Sequence, residues 1–155
     1  MIRDFTGKDR DGMIGCIIAL QNYERELEPE EKNKGEDIAS AYLEELIRKT
    51  PPPGKIIVAE VDHQIVGFGS GLPESEPDEV DLMIKKWFYI SDLVVLEKYR
   101  GQGIGSQLMS QLEILAKDLK LSRIVVGTLA KNQAARNFYA KQGFRDFEVS
   151  LRKKI

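Results

Sequence analysis

The chain has 155 residues, of which 42% are hydrophobic and 31% are charged, and its formal net charge at pH 7 is −2. This length and composition indicate one globular domain, residues 1–155, that can bury its own hydrophobic core. The near balance of acidic and basic residues gives no electrostatic attraction to nucleic acid or to an anionic membrane, so we expect neither as a partner.

The sequence also argues against secretion and against a membrane span. Cys16 is the only cysteine, which excludes an internal disulfide and fits a reducing compartment. No apolar stretch approaches the roughly 20 residues needed to cross a bilayer. Residues 1–4 lack the basic-then-apolar pattern of a secretory signal, and we therefore expect a cytoplasmic protein.

In the first half of the chain, apolar periodicity and turn residues predict a strand, two helices and a β-hairpin. The predicted elements are a strand at 2–5, a partly helical segment at 12–27, an exposed charged loop at 27–35, an amphipathic helix at 37–49, and hairpin strands at 55–61 and 64–70. Glycines weaken the helical pattern of the 12–27 segment. Three consecutive prolines after Thr50 end the second helix.

The second half predicts three further strands and two helices. In order, these are an acidic loop at 72–81, a strand at 86–95, a glycine-rich turn, a helix at 108–119, a strand at 122–129, a helix that starts at Asn132, and a strand at 147–151. Strands that form one sheet, with helices packed around it, indicate a single α+β or α/β domain.

The most informative motif is the glycine-rich turn Arg100-Gly101-Gln102-Gly103-Ile104-Gly105, which follows an apolar run at 93–96. Glycines at alternate positions let the backbone approach a ligand closely and adopt conformations that other residues resist. The first N–H groups of the following helix have no internal partner and favour negative charge. The motif therefore predicts a bound phosphate or pyrophosphate; a tight turn without a ligand is the alternative.

Two common nucleotide-binding fingerprints do not match this turn. A dinucleotide-binding fold requires G-x-G-x-x-G, but position 106 is Ser. A P-loop requires Gly-Lys followed by Ser or Thr, whereas Gly105 is followed by Ser106 and Gln107. A nucleotide-binding protein of another fold is therefore disfavoured.

A second motif, N-Q-A-A-R-N-F-Y-A-K-Q-G-F, occupies residues 132–144. Asn132 stands where a helix N-cap is expected, and Gly143 stands where a helix stops. Together, the two motifs resemble the cofactor loop R/Q-x-x-G-x-G/A and the helix N-x-x-A-x-x-F-Y-x-x-x-G-F of the GNAT family of acetyl-coenzyme A-dependent N-acetyltransferases. The resemblance covers about residues 56–144.

That resemblance implies a three-layer α+β domain in which helices flank both faces of a central, mixed and mostly antiparallel sheet. A typical member has a further strand after the position of Phe144. Either the sheet of this chain is one strand short or another chain supplies an edge, which leaves a homodimer as an alternative to a monomer.

The resemblance also implies acetyl-coenzyme A as co-substrate and no metal. Backbone N–H groups from Gly101 to Ser106 would hold the pyrophosphate. The backbone of Leu93 and Val95 would pair with the pantetheine arm, and the Leu93 N–H would point at the thioester oxygen. The implied cofactor-binding residues are Leu93, Val94, Val95, Arg100, Gly101, Gln102, Gly103, Ile104, Gly105, Ser106, Asn132, Arg136 and Tyr139. A plain helix cap is the alternative role of Asn132, and a solvated helix charge is that of Arg136.

Acetyl transfer to an amine also needs a proton donor for the leaving thiolate and a base for the amine. Tyr139 matches the family position of the acid, and its alternative is a core aromatic. The strand glutamate of many relatives is absent, so Asp92, the only carboxylate on the 86–95 strand, is the predicted base, directly or through water. A structural carboxylate is its alternative. Glu79 and Asp81 are fallback bases, whereas His63 is expected at a surface turn.

Two acidic segments, in the 72–81 loop and after the first predicted helix, border the acceptor groove in the family. They suggest a cationic amine, because opposite charge raises the local concentration of such a substrate; a solvated acidic surface is the alternative. The predicted function is acetyl transfer to a primary amine by direct attack in a ternary complex, with no covalent intermediate at Cys16. The alternative is a non-catalytic acyl-coenzyme A sensor or scaffold.

Overall fold

The computed structural model describes all 155 residues of the chain, Met1–Ile155. Its strands and α-helices are β1 (Ile2–Asp4), α1 (Arg10–Leu27), α2 (Gly35–Lys49), β2 (Lys55–Val61), β3 (Gln64–Ser75), β4 (Lys86–Val95), α3 (Ile104–Asp118), β5 (Ile124–Val126) and α4 (Gln133–Lys141). None of the helices combines the length and the apolar character that crossing a bilayer requires.

The five strands form one sheet in the order β1-β2-β3-β4-β5. Neighbouring strands are antiparallel except β4 and β5, which are parallel because a crossover through α3 connects them. The predicted β2–β3 hairpin is confirmed, and its turn residues Asp62 and His63 have positive φ angles of 48° and 60°. The mixed, mostly antiparallel sheet that the resemblance implied is confirmed as well.

Helices cover both faces of this sheet, so the protein has two hydrophobic cores. The core under α1 and α2 is centred on Met13, Ile17, Leu43, Val58 and Phe68. The core under α3 is centred on Phe88, Ile90, Leu108, Met109 and Leu112. Apolar positions three and four apart on α3 place one stripe of side chains against the sheet. The predicted three-layer arrangement is therefore confirmed.

Strand β4 carries a β-bulge at Ser91, because Asp92 pairs with Ser70 of β3 while Ile90 pairs with Gly71. A bulge inserts one residue and so reverses the alternation of side chains between the two faces. Ile90 packs in the core under α3. Asp92 instead points to the face covered by α1 and α2, where it is buried and bonded to α2.

Strands β4 and β5 diverge after a short paired stretch. Strand β5 pairs only with residues 88–90, so the rest of β4 has no partner strand on that side. The N–H of Leu96 bonds to the carbonyl of Val66 in β3 at 2.9 Å. Because successive residues point their N–H groups to opposite sides of a strand, those of Val95 and Leu93 face away from β3. These N–H groups point into the wedge-shaped space between β4 and β5, which is called the β4–β5 gap below.

The predicted strand at 147–151 is wrong. Residues 145–155 form no helix or strand, and none of their backbone groups bonds to another backbone group. The apolar alternation that predicted the strand is present, but an extended segment becomes part of a sheet only when a neighbouring edge accepts its hydrogen bonds. The predicted strand at 122–129 shortens to β5 for the same reason, since its partner is lost where the β4–β5 gap opens.

Two other boundaries differ from the prediction. Strand β3 continues to Ser75 because β4 pairs with it throughout, so the predicted loop begins later than residue 72. Helix α1 is continuous from Arg10 despite its glycines. A Cβ on Gly12 would lie 2.7 Å from the Ile65 side chain, so that glycine allows the helix to approach β3 closely.

An ion-pair network ties β1 to the start of α1 and to β2. Arg3 donates to both carboxylate oxygens of Asp9, at 2.8 and 2.7 Å, and to Glu60 at 2.6 Å. Asp9 is only 5% exposed. The hydrogen bonds from Arg3 hold the pKa of the Asp9 carboxyl well below its ordinary value, so the pair contributes to stability while that carboxyl is ionised.

Replacing Asp9 with asparagine is expected to lower the melting temperature by a few degrees at pH 7, because a charge-assisted pair is lost. A carboxyl with a lowered folded-state pKa stabilises the fold above its unfolded pKa of about 4, and this contribution disappears as the pH falls. The difference between wild type and Asp9→Asn should therefore shrink from about pH 5 to pH 2. Thermal melts over that range test this, with exposed Asp11→Asn as the control; a constant difference would contradict the assignment.

Candidate active site

The glycine-rich turn ends at the first residue of α3 and leaves the N-terminus of that helix open. Gly101 and Gly103 have left-handed φ angles of 74° and 81°, which favour glycine at both positions. The first helical hydrogen bond runs from the Gln107 N–H to the Gly103 carbonyl at 3.0 Å, and no side chain caps the helix. The N–H groups of residues 104–106 consequently have no helical acceptor. Free N–H groups at the start of a helix suit a negatively charged ligand.

Helix α4 packs directly against this turn. A Cβ on Gly105 would lie 3.3 Å from the Phe138 ring, so the third glycine makes room for α4. The amide of Gln142 donates to the hydroxyl of Ser106 at 3.0 Å. The two motifs of the sequence are thus neighbours in space.

Helix α4 is capped at both ends, as the sequence predicts. The Asn132 side chain accepts the N–H of Ala135 at 3.0 Å. Gly143 has a φ of 90°, and the next N–H, of Phe144, bonds back to the Tyr139 carbonyl at 3.0 Å. This C-terminal motif brings the Phe144 ring against Tyr139.

Tyr139 is held between two aromatic rings. Its ring centroid lies 5.5 Å from those of Phe138 and Phe144, both in edge-to-face arrangements. Burial raises the pKa of Tyr139 to about 12, and the nearby charges of Asp92 and Tyr89 act in the same direction. The phenol is therefore protonated at neutral pH and able to donate a proton.

Asp92 lies on the opposite face of the sheet from the core under α3, in a polar cluster. It is 7% exposed, and its two oxygens accept hydrogen bonds from the Tyr42 hydroxyl at 2.8 Å and the Ser70 hydroxyl at 3.3 Å. Burial raises the pKa of the Asp92 carboxyl, and these two hydrogen bonds oppose the rise. A raised pKa makes a carboxylate a stronger base near neutral pH.

Sequence reasoning missed both partners of Asp92. It placed Tyr42 within the amphipathic helix at 37–49, and it placed Ser70 at the end of the hairpin strand at 64–70. A tyrosine in an otherwise aliphatic stripe was the available signal, because a buried phenol needs a hydrogen-bond acceptor. Burial raises the pKa of Tyr42 and keeps it a donor.

The last turn of α1 and the connection between α1 and α2 add a carboxylate and an ammonium group near Asp92. Glu24 is paired with the ammonium group of Lys32 at 2.7 Å. Arg25 holds the Lys32 carbonyl at 2.7 Å, which fixes the position of this turn. The charge of Glu24 raises the pKa of Asp92 and that of Lys32 lowers it, so both groups lie within electrostatic reach.

Tyr23, near the end of α1, contacts Arg100, which follows β4, and Asn132, which follows β5. Arg100 donates from Nε to the Val95 carbonyl at 2.9 Å, and its guanidinium lies 5.7 Å from the centre of the Tyr23 ring. The Tyr23 hydroxyl lies 3.5 Å from Oδ1 of Asn132. Arg100, Val95 and Asn132, all predicted to contact the cofactor, are therefore gathered around one opening.

The remaining candidate residues lie away from this opening or are inert. Arg136 forms an ion pair with Asp146 at 2.8 Å. Glu79 and Asp81 are exposed on the loop before β4 and share no hydrogen bond with Asp92. The side chain of His63 is fully exposed at the hairpin turn, as predicted.

Cys16 is fully buried, and burial raises the pKa of its thiol to about 12, which makes it a poor nucleophile. No three acidic, histidine or cysteine side chains are grouped so as to hold a metal ion.

The sequence of this chain is similar to those of known proteins. The sequence profile described as "Acetyltransferase (GNAT) family" matches residues 17–144. An uncharacterized N-acetyltransferase of Mycobacterium bovis is 33% identical over 109 residues, which cover 70% of this chain and 63% of that protein. The chain thus spans less than two thirds of the length of this curated relative.

Solved structures show the same fold at low sequence identity. A mutant protein from Bacillus halodurans is 19% identical, with a TM-score of 0.87 over 100% of this chain and 99% of that one. The apo aminoglycoside 6′-N-acetyltransferase of Acinetobacter haemolyticus is 15% identical, with a TM-score of 0.72 and the same coverage. These structures show the fold, and the profile match over residues 17–144 shows that the chain belongs to the GNAT acetyltransferase family.

Proposed function

We propose that this protein transfers an acetyl group from acetyl-coenzyme A to a primary amine, and that the amine attacks directly in a ternary complex. The observation that carries the proposal is the β4–β5 gap. It joins the open N–H groups at the start of α3 to the backbone of Leu93, and the charge of Asp92 adds to the effect of burial in raising the pKa of Tyr139.

The residues around the gap fit the co-substrate. The left-handed glycines and the free N–H groups of residues 104–106 suit a diphosphate. The unpaired edge of β4 offers N–H groups at Leu93 and Val95 to an extended amide-containing arm. The Val95 carbonyl is held by Arg100, so binding along this edge requires that side chain to turn outward, where it gains access to phosphate.

Bound acetyl-coenzyme A supplies the thioester that the amine attacks; the chain supplies hydrogen bonds and protons. The Leu93 N–H is the proposed donor to the developing oxyanion, and a backbone donor suits this role because it is already oriented. Asp92 accepts the proton that the amine loses as the C–N bond forms. Tyr139 gives its proton to the sulfur as the C–S bond breaks.

The acceptor is proposed to be a cationic primary amine. Glu24 pairs with the ammonium of Lys32 at 2.7 Å, and both charges act on the pKa of Asp92, which supports a primary ammonium group as the acceptor at this position. A substrate ammonium would replace that of Lys32 and release one proton to solvent. The neutral amine then attacks, and Asp92 takes the second proton as the C–N bond forms. The structural neighbour named for aminoglycoside acetylation supports an acceptor of this class.

A second candidate function is a non-catalytic acyl-coenzyme A sensor. Asp92 favours it, because a carboxylate that is 7% exposed and bonded to Tyr42 and Ser70 also suits a purely structural role. The two candidates share the binding site and differ in turnover.

Thiol release from acetyl-coenzyme A separates the two candidates. We expect at least one amine in a panel of polyamines, aminoglycosides and lysine peptides to release thiol. Because the base must be deprotonated, the rate should rise with pH through the raised pKa of Asp92. Asp92→Asn is expected to lower kcat about 100-fold or more, whereas exposed Glu79→Gln serves as the matched control. Binding of coenzyme A without thiol release for any amine in the panel would favour the sensor. If Glu79→Gln lost activity and Asp92→Asn did not, Glu79 rather than Asp92 would be the base.

A further inference from the structure

Asp92 is a buried carboxylate whose two oxygens are bonded by side chains from two different elements. The Tyr42 hydroxyl of α2 donates to one oxygen at 2.8 Å, and the Ser70 hydroxyl of β3 donates to the other at 3.3 Å. Each carboxylate oxygen offers about two acceptor positions. Both oxygens therefore keep an acceptor position for a substrate proton, which arrives directly or through water.

Tyr42 differs in type from its neighbours on the buried stripe of α2. The fully buried side chains of that stripe are aliphatic, namely Ala39, Leu43 and Leu46. The Tyr42 ring is partly buried against the same core. A phenylalanine would fill this place without a polar atom that burial penalises. The hydroxyl group has its explanation in Asp92, which accepts its hydrogen bond.

Burial and hydrogen bonding act on Asp92 in opposite directions. Removal from water favours the neutral acid and raises the pKa of Asp92, whereas the bonds from Tyr42 and Ser70 favour the carboxylate and lower that pKa. A buried carboxyl without these donors would stay protonated over more of the neutral range and could not accept a proton there. A general base works best when its pKa lies near the working pH, so the two hydroxyl donors suit this role.

Tyr42 keeps the same role over the ordinary pH range. Burial raises the pKa of its phenol well above the ordinary value, and the charge of Asp92 acts in the same direction. The phenol therefore remains the donor and the carboxylate remains the acceptor. Because the phenol proton is engaged by Asp92, Tyr42 acts on the reaction through that carboxylate.

Other groups around Asp92 come from α1, the α1–α2 connection, β4 and α4. The charge of Glu24 raises the pKa of Asp92, and that of Lys32 lowers it. Tyr89 and Tyr139 are phenols whose own pKa values are raised by burial and, to a smaller extent, by the charge of Asp92. None of these four side chains donates a hydrogen bond to Asp92. Removal of a hydroxyl that does donate to Asp92 leaves their contributions in place, which makes such a substitution selective.

We propose that Tyr42 is a positioning residue for amine activation: its hydroxyl fixes the orientation of the Asp92 carboxylate and holds it in the form that accepts a proton. This inference rests on the proposed transferase function, in which Asp92 is the base. Ser70 supports the same carboxylate from β3 through the longer bond. A base that is held in place before the substrate arrives needs no reorganisation at the moment of reaction.

Titration of the Asp92 carboxyl by NMR of carboxyl carbons tests the proposal without turnover, and Asp92→Asn assigns the signal. We expect Asp92 to titrate at a higher pH in Tyr42→Phe than in the wild type, because a hydrogen bond that favours the ionised form is lost. Ser70→Ala should move the titration in the same direction but less, since its bond is longer. Tyr99→Phe is the control, because it removes a tyrosine hydroxyl that does not bond to Asp92.

The pH dependence of kcat/KM, with the amine found in the thiol-release panel, tests the consequence for the reaction. In Tyr42→Phe we expect kcat/KM to fall about 10-fold at pH 7, the effect of one hydrogen bond to a charged group. This loss should shrink as the pH rises, because the carboxyl is then ionised without its donor. Coenzyme A binding and circular dichroism should be unchanged.

A double variant tests whether Tyr42 acts through Asp92. Adding Tyr42→Phe to Asp92→Asn should cost no further activity, because the carboxylate on which the hydroxyl acts is already absent. A further loss in the double variant would overturn the proposal, as would an unchanged Asp92 titration in Tyr42→Phe or an activity loss that is the same at every pH. The titration needs no acceptor, so it decides the role of Tyr42 even if no amine releases thiol and the proposed transferase function fails.

Discussion

Replacing Gly103 with glutamate is expected to abolish measurable binding of coenzyme A while the protein stays folded. Gly103 has a φ of 81° and directly precedes the open N–H groups of α3. The only atom near a Cβ built there is the Gln107 side-chain nitrogen at 4.0 Å, so the new side chain meets no core. Its carboxylate would occupy the same N–H groups and repel a diphosphate.

The loss should exceed roughly 100-fold in Kd, because each hydrogen bond to a charged group is worth about 1.5–3 kcal/mol. Isothermal titration with coenzyme A measures it. Gly103→Ala separates strain from charge, since it carries the left-handed penalty of about 1–2 kcal/mol without the carboxylate. Gly15→Glu is the matched control, because Gly15 is an exposed helical glycine with open space around it. Unchanged affinity in Gly103→Glu would show that the glycine-rich turn does not hold the cofactor.

Replacing Tyr139 with phenylalanine is expected to lower kcat by about 100- to 10,000-fold, the usual contribution of a general acid. The substitution removes one hydroxyl and keeps the ring between Phe138 and Phe144. Cofactor binding should therefore change little, so that turnover and affinity separate. Because the pKa of Tyr139 is about 12, the phenol stays protonated through the ordinary assay range and imposes no alkaline decline there.

Steady-state kinetics with the amine found in the thiol-release panel measure this effect. Tyr99→Phe is the control, because Tyr99 packs partly buried against the core under α3 and has no proposed role in proton transfer. If kcat in Tyr139→Phe matches the wild type, Tyr139 is a packing residue and the thiolate takes its proton from another group.

Much of the candidate site could be predicted because its signals are local. Asn132 caps α4 through an N–H three residues away, and Gly143 ends that helix through bonds within one turn. Gly101 and Gly103 owe their conformation to the absence of a side chain. Such features need only near neighbours in the chain, so the residue types alone indicate them.

The cluster around Asp92 could not be predicted in this way. Its orientation depends on a bulge at Ser91, which exists only because β3 and β4 pair with a shift of register. Its partners Tyr42 and Ser70 come from 50 and 22 residues away in the chain. The apolar periodicity of the segments that contain Tyr42 and Ser70 does not indicate that either residue contacts Asp92.

The residue order alone determined the glycine-rich turn, the capped helix α4 and the hairpin, since each depends on backbone preferences of adjacent residues. Only the packed structure decided where β4 and β5 separate, which face Asp92 occupies, and whether residues 147–151 join a sheet. Those outcomes depend on hydrogen bonds to strands that are distant in the chain. A strand-like pattern therefore indicates that a segment can join a sheet. Whether the segment joins one depends on a neighbouring strand that has a free edge.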